Sequence, residues 1–126
     1  MNERFVVDAS VVLAWVQDEA GADDAEPMLA DGIIGAANWS EVLQKSRQAG
    51  APPELVALLL TSFGLSIADV TSADAEAAAL LWRRGSGLSL ADRLCLALAA
   101  RLDLPAATTD AEWQHADTVA TVRLIR

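Results

Sequence analysis

Short apolar runs bounded by glycine, proline or an acid alternate along this chain with longer stretches whose apolar residues recur every three or four positions. The first run, Arg4 to Val7, predicts a buried strand, and Ala9 to Gln17 predicts a helix with Asp8 or Ser10 near its start. Asp18 to Asp31 is rich in acid and alanine; Asp23, Asp24 and Glu26 predict a short solvated helix there, with Pro27 inside the stretch. Gly32-Ile33-Ile34-Gly35 predicts a brief strand between two glycines. Asn38 to Gln48 then carries Trp39, Val42 and Leu43 at helical spacing, with Glu41 and Lys45 as an i,i+4 pair, and Gly50 ends it.

Pro52-Pro53-Glu54 is a helix start, and the Leu55 to Leu60 run behind it is apolar on nearly every face, so this helix must be covered on all sides. Leu65 to Ala68 alternates like a strand, Ser72 to Arg84 predicts an alanine-rich helix, and Gly85-Ser86-Gly87 a loop. Ser89 to Leu102 predicts a largely buried helix, Pro105 to Thr108 a strand, Asp110 to His115 a short helix, and Thr121 to Ile125 a last strand. This alternation predicts a three-layer α/β/α sandwich with a mainly parallel central sheet, built as a single domain over residues 1–126.

Composition narrows the setting. At 126 residues the chain is long enough to build its own core, and its 53 % apolar content contains no run of the roughly 18 to 20 uncharged residues that a membrane span needs. The start, Met1-Asn2-Glu3-Arg4, is unlike a secretory signal, so the expected location is the cytoplasm with no membrane partner. Cys95 lies in Leu94-Cys95-Leu96-Ala97 as a small buried hydrophobe, and no disulfide is possible within the chain. The net charge is -9, with Lys45 as the single lysine, so bulk attraction does not hold a nucleic acid and no direct DNA binding is expected. A nuclease is not excluded, because metal ions in an acidic site supply local positive charge and Arg47, Arg83, Arg84 and Arg93 are available for phosphates.

Four acids stand where a carboxylate is inconvenient. Asp8 and Asp110 end apolar strands, while Glu41 and Asp92 open apolar helices, and a charge in such surroundings needs a partner. Each also has a structural explanation: Asn38-x-x-Glu41 and Ser89-x-x-Asp92 have the form of capping boxes, and Asp8 and Asp110 have the form of N-caps. If the strands lie side by side in a parallel sheet, however, all four converge at its carboxyl end, where open α/β sheets bind ligands. Carboxylates crowded together raise one another's pKa and call for a cation.

Four segments carry a family resemblance: Phe5-Val6-Val7-Asp8-Ala9-Ser10, Asn38-Trp39-Ser40-Glu41-Val42-Leu43, Leu88-Ser89-Leu90-Ala91-Asp92-Arg93-Leu94-Cys95-Leu96-Ala97, and Ala107-Thr108-Thr109-Asp110-Ala111-Glu112-Trp113. In order and spacing the chain resembles the PIN-domain ribonucleases, specifically the VapC-type toxins of type II toxin–antitoxin systems. The resemblance implies an Mg²⁺- or Mn²⁺-dependent endoribonuclease, with Asp8, Glu41, Asp92 and Asp110 as metal-binding and catalytic acids and Ser10 orienting the first of them. It also implies an RNA substrate, a cognate VapB-type antitoxin and a homodimer. Thr108 is expected to serve Asp110 as Ser10 serves Asp8, and the Leu55 to Leu60 surface, with Trp15 and Leu13, to supply the dimer and antitoxin contacts. The unusually acidic surface departs from what RNA affinity needs.

Other chemistry fares poorly. His115, the only histidine, stands near a helix end, and the serines lack a glycine-rich nucleophile elbow. Gly85-Ser86-Gly87 lacks a third glycine and a preceding strand, and the four tryptophans have no basic residues interleaved. Two rivals stay open: a receiver-like, Mg²⁺-binding phosphoacceptor domain, which shares the architecture but needs an adjacent acidic pair after its first strand, and a catalytically inactive PIN domain used only for assembly.

Overall fold

The computed structural model of the chain describes residues 3–18, 20–116, 118 and 120–125. Five short strands, β1 (Val6–Val7), β2 (Ile33–Gly35), β3 (Ser66–Ala68), β4 (Ala106–Thr108) and β5 (Val122–Leu124), form one sheet in the order β3-β2-β1-β4-β5. Every pairing is parallel, with Val6 opposite both Ile33 and Ala106. Helices α1 (Ala9–Val16), α2 (Ala22–Leu29), α3 (Ala36–Gln48), α4 (Pro53–Thr61), α5 (Ser72–Leu80) and α6 (Leu90–Leu102) flank it, and a 3-10 helix spans Ala111–His115. The three-layer reading therefore holds, with the sheet wholly parallel.

Successive side chains of β1 serve opposite faces, as a pleated strand requires. Val7 joins Val11, Val12, Leu29, Val42, Val56 and Leu60 in one apolar cluster, and Val6 joins Cys95, Leu96, Leu98 and Trp113 in the other. Both faces of a parallel sheet must be covered, which is why its strands read as plain apolar runs. α5 stands outside α6, tied to it by a two-pronged bond from Arg101 to the buried carboxylate of Asp74 (2.7 and 3.0 Å).

Several elements differ from the pattern's prediction. α3 begins at Ala36 rather than Asn38, because Gly35 both ends β2 and caps the helix; a Cβ on Gly35 would sit 3.3 Å from Asn38 Oδ1. The segment expected to be helical to Arg84 ends at Leu80. α2 buries Ala25 and Leu29 while its acids stay in solvent, and Glu19 of that acidic stretch lies outside the described residues. α4 covers only Val56 and Leu60; Leu55, Leu58 and Leu59 are exposed. Leu13 is buried in the core and so does not add to that outer face as expected, while Trp15 is half-buried and packs edge-on against Phe63. Cys95 is buried and His115 is exposed. Among the described residues no helix is long and apolar enough to cross a membrane.

Candidate active site

The strand order reverses direction between β1 and β4, so the crevice beyond their carboxyl ends is the topological switch point of the sheet. That order also disposes of the receiver-like alternative, whose doubly wound sheet runs 2-1-3-4-5. Asp8 leaves β1 at this point. Its backbone N–H donates to Ala107 of β4 (3.1 Å), and its extended conformation makes it the N-cap of α1.

Both oxygens of Asp8 are engaged. Oδ1 accepts from the Ser10 hydroxyl (2.6 Å) and from the Val11 backbone N–H (3.2 Å), and Oδ2 accepts from the Thr108 hydroxyl (2.7 Å). The same two hydroxyls receive bonds in turn: Ser10 Oγ from the Thr109 N–H (3.0 Å), and Thr108 Oγ1 from the Asp110 N–H (3.1 Å). The turn after β4 is thus stitched to the first turn of α1 through one carboxylate. Thr108, expected beside Asp110, donates its hydroxyl hydrogen bond to Asp8 and meets Asp110 only by accepting from its backbone N–H.

Asp8 is 5 % exposed. Burial pushes its carboxyl up from 3.8 to about 6; the bonds from Ser10, Thr108 and Val11 oppose that rise, and the charge of Asp92 adds to it. Among the described residues no cationic side chain contributes. Cys95, buried beneath, feels Asp8, Asp92 and Glu41 together, which with its burial drives the thiol well upward. Those three carboxylates therefore surround one region of the molecule.

Asp92 is also a cap. Ser89 and Asp92 exchange bonds across the first turn of α6, the Ser89 N–H donating to Asp92 Oδ2 (2.9 Å) and the Asp92 N–H to Ser89 Oγ (3.1 Å). The second expected capping box is absent: Asn38 lies inside α3 and is buried. Its Nδ2 reaches the Ala91 carbonyl (3.3 Å) and, more weakly, Glu41 Oε1 (3.5 Å), and so joins α3 to the start of α6 beside Asp92. Asn38 Oδ1 is buried without a hydrogen-bond partner. The sequence pointed to Asn38 only as a cap; its role as the link that carries Glu41 was not visible. Asp110 is exposed, and its Oδ1 caps the 3-10 helix by accepting from the Glu112 N–H (3.0 Å). Its carboxylate is not among the charges that act on Asp8 or Cys95.

The donor set suits a hard divalent cation in kind, since it is all carboxylate oxygen around a buried Asp8 that has no counter-ion among the described residues. Its spacing is wide. Among the described residues no three acids, cysteines or histidines stand close enough together to hold one ion as placed.

A cleft of about 350 Å³ adjoins this site, lined by Ser10, Leu13, Ala14, Gln17, Ala20, Lys45 and Thr109. Lys45 was expected to pair with Glu41 across one helical turn. It forms no ion pair among the described residues.

The PIN-domain family model matches residues 5–119. The chain belongs to the PIN-domain family. No curated protein sequence matches it. Among solved structures, this PIN domain is similar to a toxin–antitoxin complex from Klebsiella pneumoniae, with a TM-score of 0.75, 19 % identity, and 94 % of this chain and 95 % of that one covered. It is similar to Mycobacterium tuberculosis VapC20, a sarcin–ricin loop cleaving toxin (TM-score 0.72, 18 % identity, 93 % and 97 % covered). A third neighbour is VapBC2 from Rickettsia felis, bound to a DNA fragment from its promoter (TM-score 0.75, 12 % identity, 98 % and 99 % covered). At such identities the likeness establishes the fold.

Proposed function

We propose that this PIN domain is a VapC-type toxin: a divalent-metal-dependent endoribonuclease held in check by a cognate VapB-type antitoxin. The observation that carries the reading is Asp8, a carboxylate buried at the switch point with no cation of the described residues to offset it, with the charge of Asp92 acting on it and that of Glu41 acting together with both on Cys95. The family membership and the toxin neighbours point the same way. Asp8, Asp92 and Glu41 are the proposed ligands of Mg²⁺ or Mn²⁺, with Asp110 at the adjoining strand end. Such an ion supplies the charge that activates water and stabilises the leaving oxygen of a phosphodiester.

The chain's own residues have separate tasks in this reading. Ser10 and Thr108 each hold one oxygen of Asp8, so the carboxylate keeps one orientation while it is desolvated. Their hydroxyls also hold the backbone of Thr109 and Asp110, so the two strand ends move as one body. Asn38 links Glu41 to the start of α6, beside Asp92. Asp92 uses Oδ2 in its cap. Its Oδ1 is the oxygen left for a ligand.

The test is cleavage of total RNA in Mg²⁺ or Mn²⁺, with and without excess chelator, for wild type, Asp8→Asn and Asp92→Asn. Cleavage is expected only in the wild type and only without chelator, and growth arrest on expression is expected to vanish with the same substitutions. Full activity in chelator sinks the proposal. The wide spacing of the carboxylates favours one second reading, a PIN domain used only for assembly; a wild type that cleaves nothing in either metal selects it.

A further inference from the structure

We infer that Lys45 and the cleft it lines form a phosphate-binding subsite, which holds the backbone of a single-stranded RNA next to the acidic site. The inference rests on the endoribonuclease reading and names the contact that an otherwise repellent molecule offers its substrate. With a net charge of -9 and a single lysine, the chain has little general attraction for a polyanion, so where its cations stand decides where a phosphate can lie.

Lys45 is exposed on α3 one turn beyond Glu41 and spends its charge on no carboxylate of the described residues. A glutamate four residues before a lysine on one helix favours an ion pair. Here the pair is not made, and Lys45 instead lines the 350 Å³ cleft. That volume lies at the small end of the roughly 300 to 1,000 Å³ typical of ligand sites.

The opposite wall ties this cleft to the acids. Ser10 lines it and donates to Asp8, and Thr109 lines it and donates its N–H to Ser10. A strand that places one phosphate against Lys45 therefore runs directly onto the residues that hold Asp8. The other cations are placed differently. Arg47, two residues on, lines a separate groove with Ser40, Leu43, Gln44 and Pro53, and Arg93 donates to the Ala78 carbonyl. Arg101 is held by Asp74, and Arg123 is paired with Glu3.

The experiment uses a fluorescein-labelled single-stranded RNA oligonucleotide of mixed sequence. Its anisotropy is followed as protein is added in Ca²⁺ over a range of salt, and its cleavage is followed in Mg²⁺. Lys45→Ala is expected to weaken binding about tenfold and to flatten the slope of log K against log salt by ~0.7, the value for one lost phosphate contact on a single strand. It is expected to raise KM about tenfold with kcat within about twofold, the signature of a contact made equally in ground and transition states. Lys45→Arg is expected to restore both. Arg47→Ala removes the same charge from the same helix and is expected to match wild type.

Two failures are distinguishable. If the wild type binds through Lys45 but cleaves nothing, the subsite stands and the endoribonuclease reading falls. If the wild type cleaves and Lys45→Ala matches it in KM and salt slope, or if Arg47→Ala is weakened as much as Lys45→Ala, the subsite falls and the endoribonuclease reading stands. A wild type that does not bind the oligonucleotide overturns the subsite outright.

Discussion

Asp8 gives a pH dependence whose sign follows from its burial. Its carboxyl is pushed up to about 6 in the folded chain against 3.8 when free, so between those values the folded state keeps a proton that the unfolded state has lost. Stability of the metal-free protein therefore falls as pH rises from about 4 to about 6, by roughly 3 kcal/mol at most. Asp8→Asn has no such titration, and melting curves in chelator are expected to show the wild type losing ground to that variant across the window. A wild type whose stability rises there would mean that the carboxylate is not desolvated. Thr108→Val removes the hydroxyl that serves both Asp8 and the Asp110 N–H. The expected cost is about 1–3 kcal/mol, with the Asp8 carboxyl pushed higher still because an opposing bond is gone; chemical denaturation and the pH midpoint measure the two effects. At this scale the sequence was readable wherever a polar residue broke an apolar run. Asp8 and Ser10 stood out for that reason. Asn38 did not, because an asparagine near a helix start looks like a cap, and only the packing of α3 on α6 reveals its bond to the Ala91 carbonyl.

Helix starts are where the cap and the ligand readings meet. Asp8 and Asp110 cap the elements that follow them and Asp92 completes the capping box of α6 from within its first turn, so capping does not argue against a place in the site. Asp92→Asn separates the two roles on α6. An asparagine keeps an oxygen for the Ser89 N–H, loses about 0.3–1 kcal/mol of favourable interaction with the helix N-terminus, and relieves a repulsion that is the smallest of the influences on Asp8. These oppose each other, so the metal-free stability is expected to change by less than about 1 kcal/mol. The deciding quantity is the response to metal. If the site holds Mg²⁺ as proposed, the ion is expected to stabilise the wild type by RT ln(1 + [L]/Kd), roughly 2.7 kcal/mol at a hundredfold excess over Kd, and the variant is expected to lose most of that gain. Equal gains in melting curves with chelator and with Mg²⁺ would leave Asp92 a cap alone. The same element shows what the pattern hid elsewhere. α6 was legible to within one residue because its cap carries a hydroxyl, whereas α3 was misplaced by two because its cap, Gly35, has no side chain to announce it. α5 ran long because no glycine or proline marks Leu80.

On the scale of the whole molecule, a parallel sheet with an acidic mouth and an uncovered α4 face leaves the chain with two unmet demands, charge at one and apolar cover at the other. The pattern showed that Leu55 to Leu60 is apolar on all sides, but it cannot say whether the cover comes from the same chain. Here Val56 and Leu60 are covered from within, while Leu58 stays 68 % exposed. If a second copy covers it, Leu58→Glu is expected to convert a homodimer to monomer in sedimentation without lowering the melting point, since the side chain contributes nothing to the core. If the proposed toxin reading holds, the acidic mouth sets the chemistry of the neutralising partner. A guanidinium can bond two carboxylates at once in the fixed fork that a planar donor offers, where an ammonium acts as a point charge. The proposed antitoxin is therefore expected to place an arginine against Asp8, Glu41 or Asp92 and to exclude metal as well as RNA. Replacing that arginine with alanine is expected to cost about 2–5 kcal/mol of binding, much of it in the off-rate, because it leaves desolvated acids unpaired. Calorimetry of the complex with and without Mg²⁺ checks both halves, since bound metal and bound antitoxin should weaken each other. An antitoxin that binds equally well to the metal-loaded protein, with the mouth left open, would show that it blocks substrate by cover alone.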